Sequence, residues 1–221
     1  MKKEETTLLI FFIVLILFLI LYRILTKVYT KSLVNSFKED TGKFEKTLNS
    51  LIAKLLFPPY NREFMYLNYC VLHKKDKKVS EQIEKLNSMR INNEQHLAVY
   101  KTAIQYYVSV NNEKEARNIQ KKLNEFIEKN QLDSKIKEAV DAELNIFFTK
   151  DISTLSYIDG KLENCSDLDK VEWNFKKAVV LKANDRLEEA KECMKIVIEN
   201  TKNPEQKKAM QEILDNNLKD L

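Results

Sequence analysis

Two histidines and three cysteines are the side chains of this chain best suited to nucleophilic or metal chemistry. Cys70 and His73 stand three positions apart, which on a helix puts a thiol and an imidazole on one face. Such a pair could do acyl transfer if a third group oriented the imidazole and a donor loop held the oxyanion. The neighbouring sequence identifies neither, so a buried thiol beside a packing histidine is the competing role. His96 is isolated, and no H-x-x-x-H or C-x-x-C spacing occurs, so neither a metal nor a cofactor is expected. Gly42 and Gly160 are the only glycines, which excludes both G-x-G-x-x-G and G-x-x-x-x-G-K-[ST] phosphate loops. The acidic pairs Glu188–Glu189 and Asp167/Asp169 fall near expected helix starts, where carboxylates complement the helix dipole. The run His73 to Lys78 reads as a solvated basic loop. No catalytic site is expected, and the chain reads as a non-enzyme.

Whatever the chain does must then reside in surfaces. Glycine and proline together number five in 221 residues, and charged residues make up 32% in mixtures with Ala and Leu. That composition suits an all-α protein and not a turn-rich sheet fold. Residues 1–57 hold nine Lys/Arg against five Asp/Glu, which accounts for the whole net charge of +4. The remainder is balanced, so no nucleic-acid partner is expected. The basic excess lies instead beside an apolar segment, where it could meet anionic lipid. Three cysteines at wide spacing (Cys70, Cys165, Cys193) suit free thiols in a reducing compartment.

That apolar segment occupies residues 6–26, after a short polar tail at 1–5. Leu8 to Tyr22 is unbroken by any charged residue. Twenty helical residues reach about 30 Å, the thickness of a bilayer's hydrocarbon core. The run exceeds a signal peptide's apolar region, and no A-x-A-like site follows it. Lys2 and Lys3 precede the span, whereas Arg23, Lys27, Lys31 and Lys38 follow it. The positive-inside rule therefore expects a single-pass cell-membrane protein whose C-terminal part is cytoplasmic.

Residues 27–57 keep a helical rhythm and read as one basic amphipathic connecting helix. Phe37, Phe44 and Leu51 fall at one heptad position, with Leu48 and Leu55 at the other. This stripe could form a homodimer, lie on the membrane surface, or pack on the chain's own domain, which is the reading favoured. Gly42 weakens a continuous helix by about 1 kcal/mol relative to alanine. Pro58-Pro59 closes the segment, and the main helical domain is expected over 60–221.

From Arg62 onward, helix-length amphipathic stretches alternate with short polar breaks at 76–78, 91–93, 111–112, 130–133, 149–151, 164–167, 184–185 and 201–204. Short connections make antiparallel neighbours, about eight helices in all. Asp133, Asp151, Ser166 and Asn203 are suited to cap helix starts, and Pro204 to the first helical position. Two stretches resemble tetratricopeptide repeats. The first, from Leu97, carries Tyr100, Ala103, Tyr107, Ala116 and Leu123. The second, from Val171, carries Ala178, Leu181, Ala190, Met194 and Val197. The second needs a one-residue shift at Trp173, both lack the family's glycine, and residues 133–166 match poorly. The expected fold is an antiparallel TPR-like helix-pair solenoid or an irregular α-bundle.

The resemblance implies a protein-binding scaffold whose groove is lined by the first helix of each pair. At matching positions these are Lys101, Gln105 and Val108 in one repeat and Phe175, Val179 and Lys182 in the other. Core packing is the competing role for Phe175 and Val179. The function expected is a membrane-anchored adaptor for a protein partner. An envelope or secretion component with the helical domain outside the cytoplasm is the alternative, as is a membrane-bound regulator of an enzyme or transporter.

Overall fold

A computed structural model describes residues 2–39, 41–163, 165–219 and 221. The chain is all-helical, and no strand occurs among the described residues. The helices are α1 (Lys2–Phe37), α2 (Lys43–Leu48), α3 (Leu51–Leu56), α4 (Pro59–Leu72), α5 (Asp76–Ser88), α6 (Asn93–Ser109), α7 (Glu113–Lys129) and α8 (Lys135–Leu144). A π-helical turn at Asn145–Thr149 follows, then α9 (Thr154–Glu163), α10 (Asp167–Ala183), α11 (Leu187–Asn200) and α12 (Pro204–Asp215). The chain forms two compact units, residues 1–103 and 104–221.

In the first unit, α1 runs unbroken for 36 residues, about 54 Å at 1.5 Å per residue. Its span Phe11–Phe37 is long and apolar enough to cross a membrane; its most apolar stretch has a mean hydropathy of 2.4, and none of that stretch is buried. Phe11 to Tyr22 are all exposed, so over this stretch the helix is apolar around its whole circumference and not along one stripe.

The connecting segment is not one helix. α1 ends at Phe37, and Gly42 adopts the left-handed conformation (φ 70°) immediately before α2. The chain reverses there, so α2 and α3 pack back along α1. A second break lies between them, where the Ser50 hydroxyl donates to Thr47 O (2.8 Å) and accepts from Ala53 N (3.2 Å), capping α3. The heptad stripe is thereby divided. Phe44 and Leu48 are buried, whereas Leu51 and Leu55 are 73% and 75% exposed. The continuous helix expected over 27–57 is thus corrected to the end of α1 and two short helices.

Pro58 precedes α4 and Pro59 occupies its first turn, where a missing N–H leaves no helical bond unmade. The break expected at 76–78 lies instead at 73–75, with Lys74 left-handed (φ 49°), and Asp76 opens α5. α4 and α5 pack as a pair. Glu63 joins them, accepting from Lys85 Nζ (2.7 Å) and Gln82 Nε2 (2.7 Å). Glu45 of α2 meets Lys75 (3.5 Å) and Lys78 (3.1 Å). Asn92 and Gln95 bond reciprocally at the start of α6, each side chain accepting the other's backbone N–H.

In the second unit, α10 and α11 form the most extensive helix pair. Ala178, Leu181, Ala190, Cys193, Met194 and Val197 make its core. Ala178 and Ala190 are fully buried, and such small residues permit close helix approach. Ser166 and Asn203 cap α10 and α12 as expected, accepting backbone N–H groups from Asp169, and from Glu205 and Gln206. Asp133 and Asp151 act one and two positions before the cap position. Their carboxylates accept from Lys135 N and Ser153 N, closing tight turns that lead into α8 and α9.

The two glycines lead to opposite expectations. Gly42→Ala has room for the methyl group but forces alanine to positive φ, costing about 1 kcal/mol. Gly160 lies inside α9, and the space a methyl group would take there is open, so Gly160→Ala is expected to stabilise by about 0.5–1 kcal/mol. Thermal unfolding of the two variants should shift in opposite directions.

Candidate functional surfaces

The first surface is built where α1 leaves its apolar run. Phe37 meets Phe44 edge-on (ring centroids 5.3 Å), and Phe44 stacks on Tyr69 of α4 at 4.5 Å. Phe44 and Tyr69 are 1% and 0% exposed. His73 completes the cluster. Its ring lies 4.5 Å from Tyr69, and its Nε2 is 2.9 Å from Phe37 O, so Nε2 carries the proton and donates. That bond satisfies a carbonyl left free at the end of α1. Lys75 places its ammonium 4.6 Å from the Tyr69 ring centre.

His73 is committed to the Phe37 carbonyl, and Cys70 is fully buried. Burial pushes the Cys70 thiol pKa up, the reverse of the depression that activates a nucleophile. Cys193 is shifted the same way by burial.

Lower on the returning hairpin, the Tyr22 hydroxyl donates to Leu56 O at 3.2 Å, across 34 residues of sequence. The end of α3 is thereby held beside the end of the apolar run. An open cleft of about 430 Å³ lies farther along α1, between it and α2, lined by Val28, Tyr29, Ser32, Lys46, Thr47 and Ser50. Sequence periodicity missed this proximity, because a 3.6-residue rhythm continues across a reversal as readily as along a straight helix.

The second surface concerns the helix-pair positions. On α6, Lys101 and Gln105 are exposed and Val108 is half-buried. On α10 the expected groove positions are occupied by the chain itself. Val179 is 5% exposed, and Phe175 packs on the α10–α11 core together with Leu214, Leu218 and Leu221. Lys182 Nζ donates to the carbonyls of Lys219 (3.3 Å) and Leu221 (3.0 Å). Asn217 and Leu218 both take positive φ (53° and 59°) so that Leu218 can enter the core at 0% exposure. Left-handed leucine costs about 1–2 kcal/mol, which full burial of its side chain, about 2 kcal/mol, offsets.

Lys176 is a buried cation that periodicity did not single out. It is 5% exposed and lies 2.6 Å from both Glu143 and Glu172, with its ammonium 4.5 Å from the Trp173 ring centre. Burial alone would lower its pKa. The Glu143 carboxylate, by charge and hydrogen bond, and then Glu172 outweigh that and hold it above the ordinary lysine value.

A polar cleft of about 520 Å³ lies along α7 and α8, lined in part by Arg117, Gln120, Asn124, Asp141 and Asn145. Its groups largely satisfy one another. Arg117 bonds Glu113 and Asn145, and Gln120 bonds Asp141. The Asn124 side-chain oxygen is buried without a protein partner. Among the described residues no three of His, Cys, Asp and Glu come together as a metal-holding group. No family model, curated protein or solved structure matches the chain.

Lys176→Ala removes a cation that Glu143 faces at 22% side-chain exposure. A fully buried pair broken this way costs about 3–5 kcal/mol, and the partial exposure of Glu143 reduces the expected loss to about 2 kcal/mol. Because the folded-state pKa is raised, this stability is fully present below the unfolded lysine pKa of about 10.4 and is lost as pH rises through the folded value. Denaturant titrations should show the variant's deficit constant near neutrality and shrinking above about pH 10.4.

Proposed function

We propose that this protein is a membrane-anchored interaction scaffold. In this reading α1 crosses a cell membrane once, and the helical units on its C-terminal side bind a partner protein in the cytoplasm. The observation that carries it is the exposure of apolar side chains on every side of α1 from Phe11 to Tyr22, directly continuous with a folded helical unit. A helix of that kind in water would expose a large apolar area, whereas a bilayer covers it. The basic residues following the span favour the cytoplasmic orientation.

The partner-binding part rests on the TPR-like pattern. Its support is the burial of Ala178, Leu181, Ala190, Met194 and Val197 in the α10–α11 core, the packing role that the repeat resemblance gives them. On α10 the groove positions Phe175, Val179 and Lys182 are engaged by the chain's own segments, so the partner face we assign lies on α6, at Lys101, Gln105 and Val108. A homodimer through Phe44 is disfavoured by the burial of that ring.

Topology and partner binding can be read on the full chain. Cys70 and Cys193 are buried, so an impermeant maleimide should be read at an introduced Glu113→Cys, on an exposed side chain of α7. Labelling only after permeabilisation is expected. Labelling of intact cells would support the envelope alternative. A partner recovered after detergent extraction should bind at least about tenfold more weakly, or about 1.4 kcal/mol, when Lys101 and Gln105 are both changed to Glu. Unchanged recovery would reject α6 as the partner face.

A further inference from the structure

α3 is short and amphipathic in an unusual place. Ala53 and Leu56 are buried (0% and 7% exposed), whereas Leu51, Ile52 and Leu55 project outward at 73%, 40% and 75% exposure. At 100° per residue, Leu51, Ile52 and Leu55 fall within one arc. Lys54 flanks that arc and is also exposed. Three large apolar side chains on one six-residue helix call for a cover.

The hairpin says what the cover is. From Phe37 the chain reverses at Gly42 and descends along α1. Phe44 lies at the level of Phe37. Lys46, Thr47 and Ser50 line one cleft with Val28, Tyr29 and Ser32. Leu56 is then bonded to Tyr22, the last residue of the unbroken apolar run. α3 therefore returns to the height at which α1 leaves the hydrocarbon. The polar border of a bilayer is about 5–7 Å thick on each side, and a six-residue helix is about 9 Å long. α3 is long enough to cross that border and reach the acyl edge.

Charge favours lipid over a second copy of this chain. From Lys46 to Phe57 there is no acidic residue, and Arg23, Lys27, Lys46 and Lys54 are all exposed around the hairpin. Glu45, just before this stretch, is engaged by Lys75 and Lys78. Two such basic faces would repel each other, whereas anionic headgroups would attract them.

We propose that α3 is a membrane-interface element, with Leu51, Ile52 and Leu55 seated at the headgroup–acyl boundary of the bilayer that α1 spans and Lys46 and Lys54 among the headgroups. This rests on the reading of α1 as a membrane span. It gives the hairpin a role beyond connection, because a second point of insertion beside α1 restrains the helix from swivelling and sets the height of the first unit above the membrane.

The test uses the full chain with Trp173→Phe, so that one introduced tryptophan reports alone. The chain is reconstituted at low protein density in phosphatidylcholine vesicles containing a minority of phosphatidylglycerol, with acyl chains brominated near the headgroup. Leu55→Trp is expected to emit toward the blue and to lose about half its emission to bromolipid, as a side chain buried at the acyl boundary does, while resisting aqueous acrylamide. Val34→Trp, on α1 but about 18 Å beyond Tyr22, is expected to show the opposite pattern. Leu17→Trp, within the apolar run, reports on the span itself. If Leu17→Trp is quenched by bromolipid and Leu55→Trp only by acrylamide, α1 spans the membrane and α3 faces water, overturning the proposal. Shielding of Leu55→Trp from both quenchers would assign the face to a second copy and overturn it equally. Absence of bromolipid quenching at Leu17→Trp would reject the membrane reading underneath.

Discussion

The contact of Phe37, Phe44 and Tyr69 decides how the first unit is organised. Phe44 stacks on Tyr69 at 4.5 Å and meets Phe37 edge-on, which ties the end of a 36-residue helix to the returning hairpin and to α4. Aromatic pairs of this geometry add about 0.5–1.5 kcal/mol beyond the area they bury. Other features of the hairpin depend on that lock. Gly42 must be left-handed for the chain to turn and present Phe44 to Phe37. His73 can reach the Phe37 carbonyl because α4 is held beside it. Leu56 reaches Tyr22 because the hairpin is held against α1 along its length.

Much of the fold was legible from residues whose physics is local. An apolar run of bilayer length, scarce glycine and periodic amphipathic stretches led to an all-helical chain with one long apolar N-terminal helix. Caps at Ser166 and Asn203 followed from side-chain chemistry alone. What escaped was non-local. The stripe through Phe37, Phe44, Leu48, Leu51 and Leu55 is periodic in sequence but divided in space, since Gly42 and Ser50 each break the helix without disturbing the count. Lys176 reads as a surface lysine until Glu143, thirty-three positions earlier, is brought to 2.6 Å. Phe175 and Lys182 read as groove residues because nothing in their own neighbourhood announces that the C-terminal residues, Leu218 and Leu221 among them, fold back over α10.

The two units use their polar groups differently. In the first, Glu45 and Glu63 link one helix to another through Lys75, Lys78 and Lys85. In the second, many ion pairs lie within one helix at i,i+3 or i,i+4 spacing, such as Lys170–Asp167, Lys191–Glu188 and Lys195–Glu192. Exposed pairs of that kind are screened by solvent and contribute little, so the second unit depends on its apolar core and on Lys176. Burial raises the Cys70 thiol pKa, and His73 is engaged by the Phe37 carbonyl.

The aromatic lock holds the hairpin against α1. Hydrogen exchange read by mass spectrometry, on the detergent-solubilised chain and its Phe44→Ala variant, tests it most directly. Losing a buried phenylalanine costs about 3–5 kcal/mol, enough to open a local structure of this size. Amides of residues 33–37, 43–56 and 69–73 are expected to lose protection together in the variant, while those of α10 and α11 keep theirs. If residues 43–56 are unprotected already in the parent chain, or if Phe44→Ala leaves 33–37 and 69–73 unchanged, the lock does not exist as described.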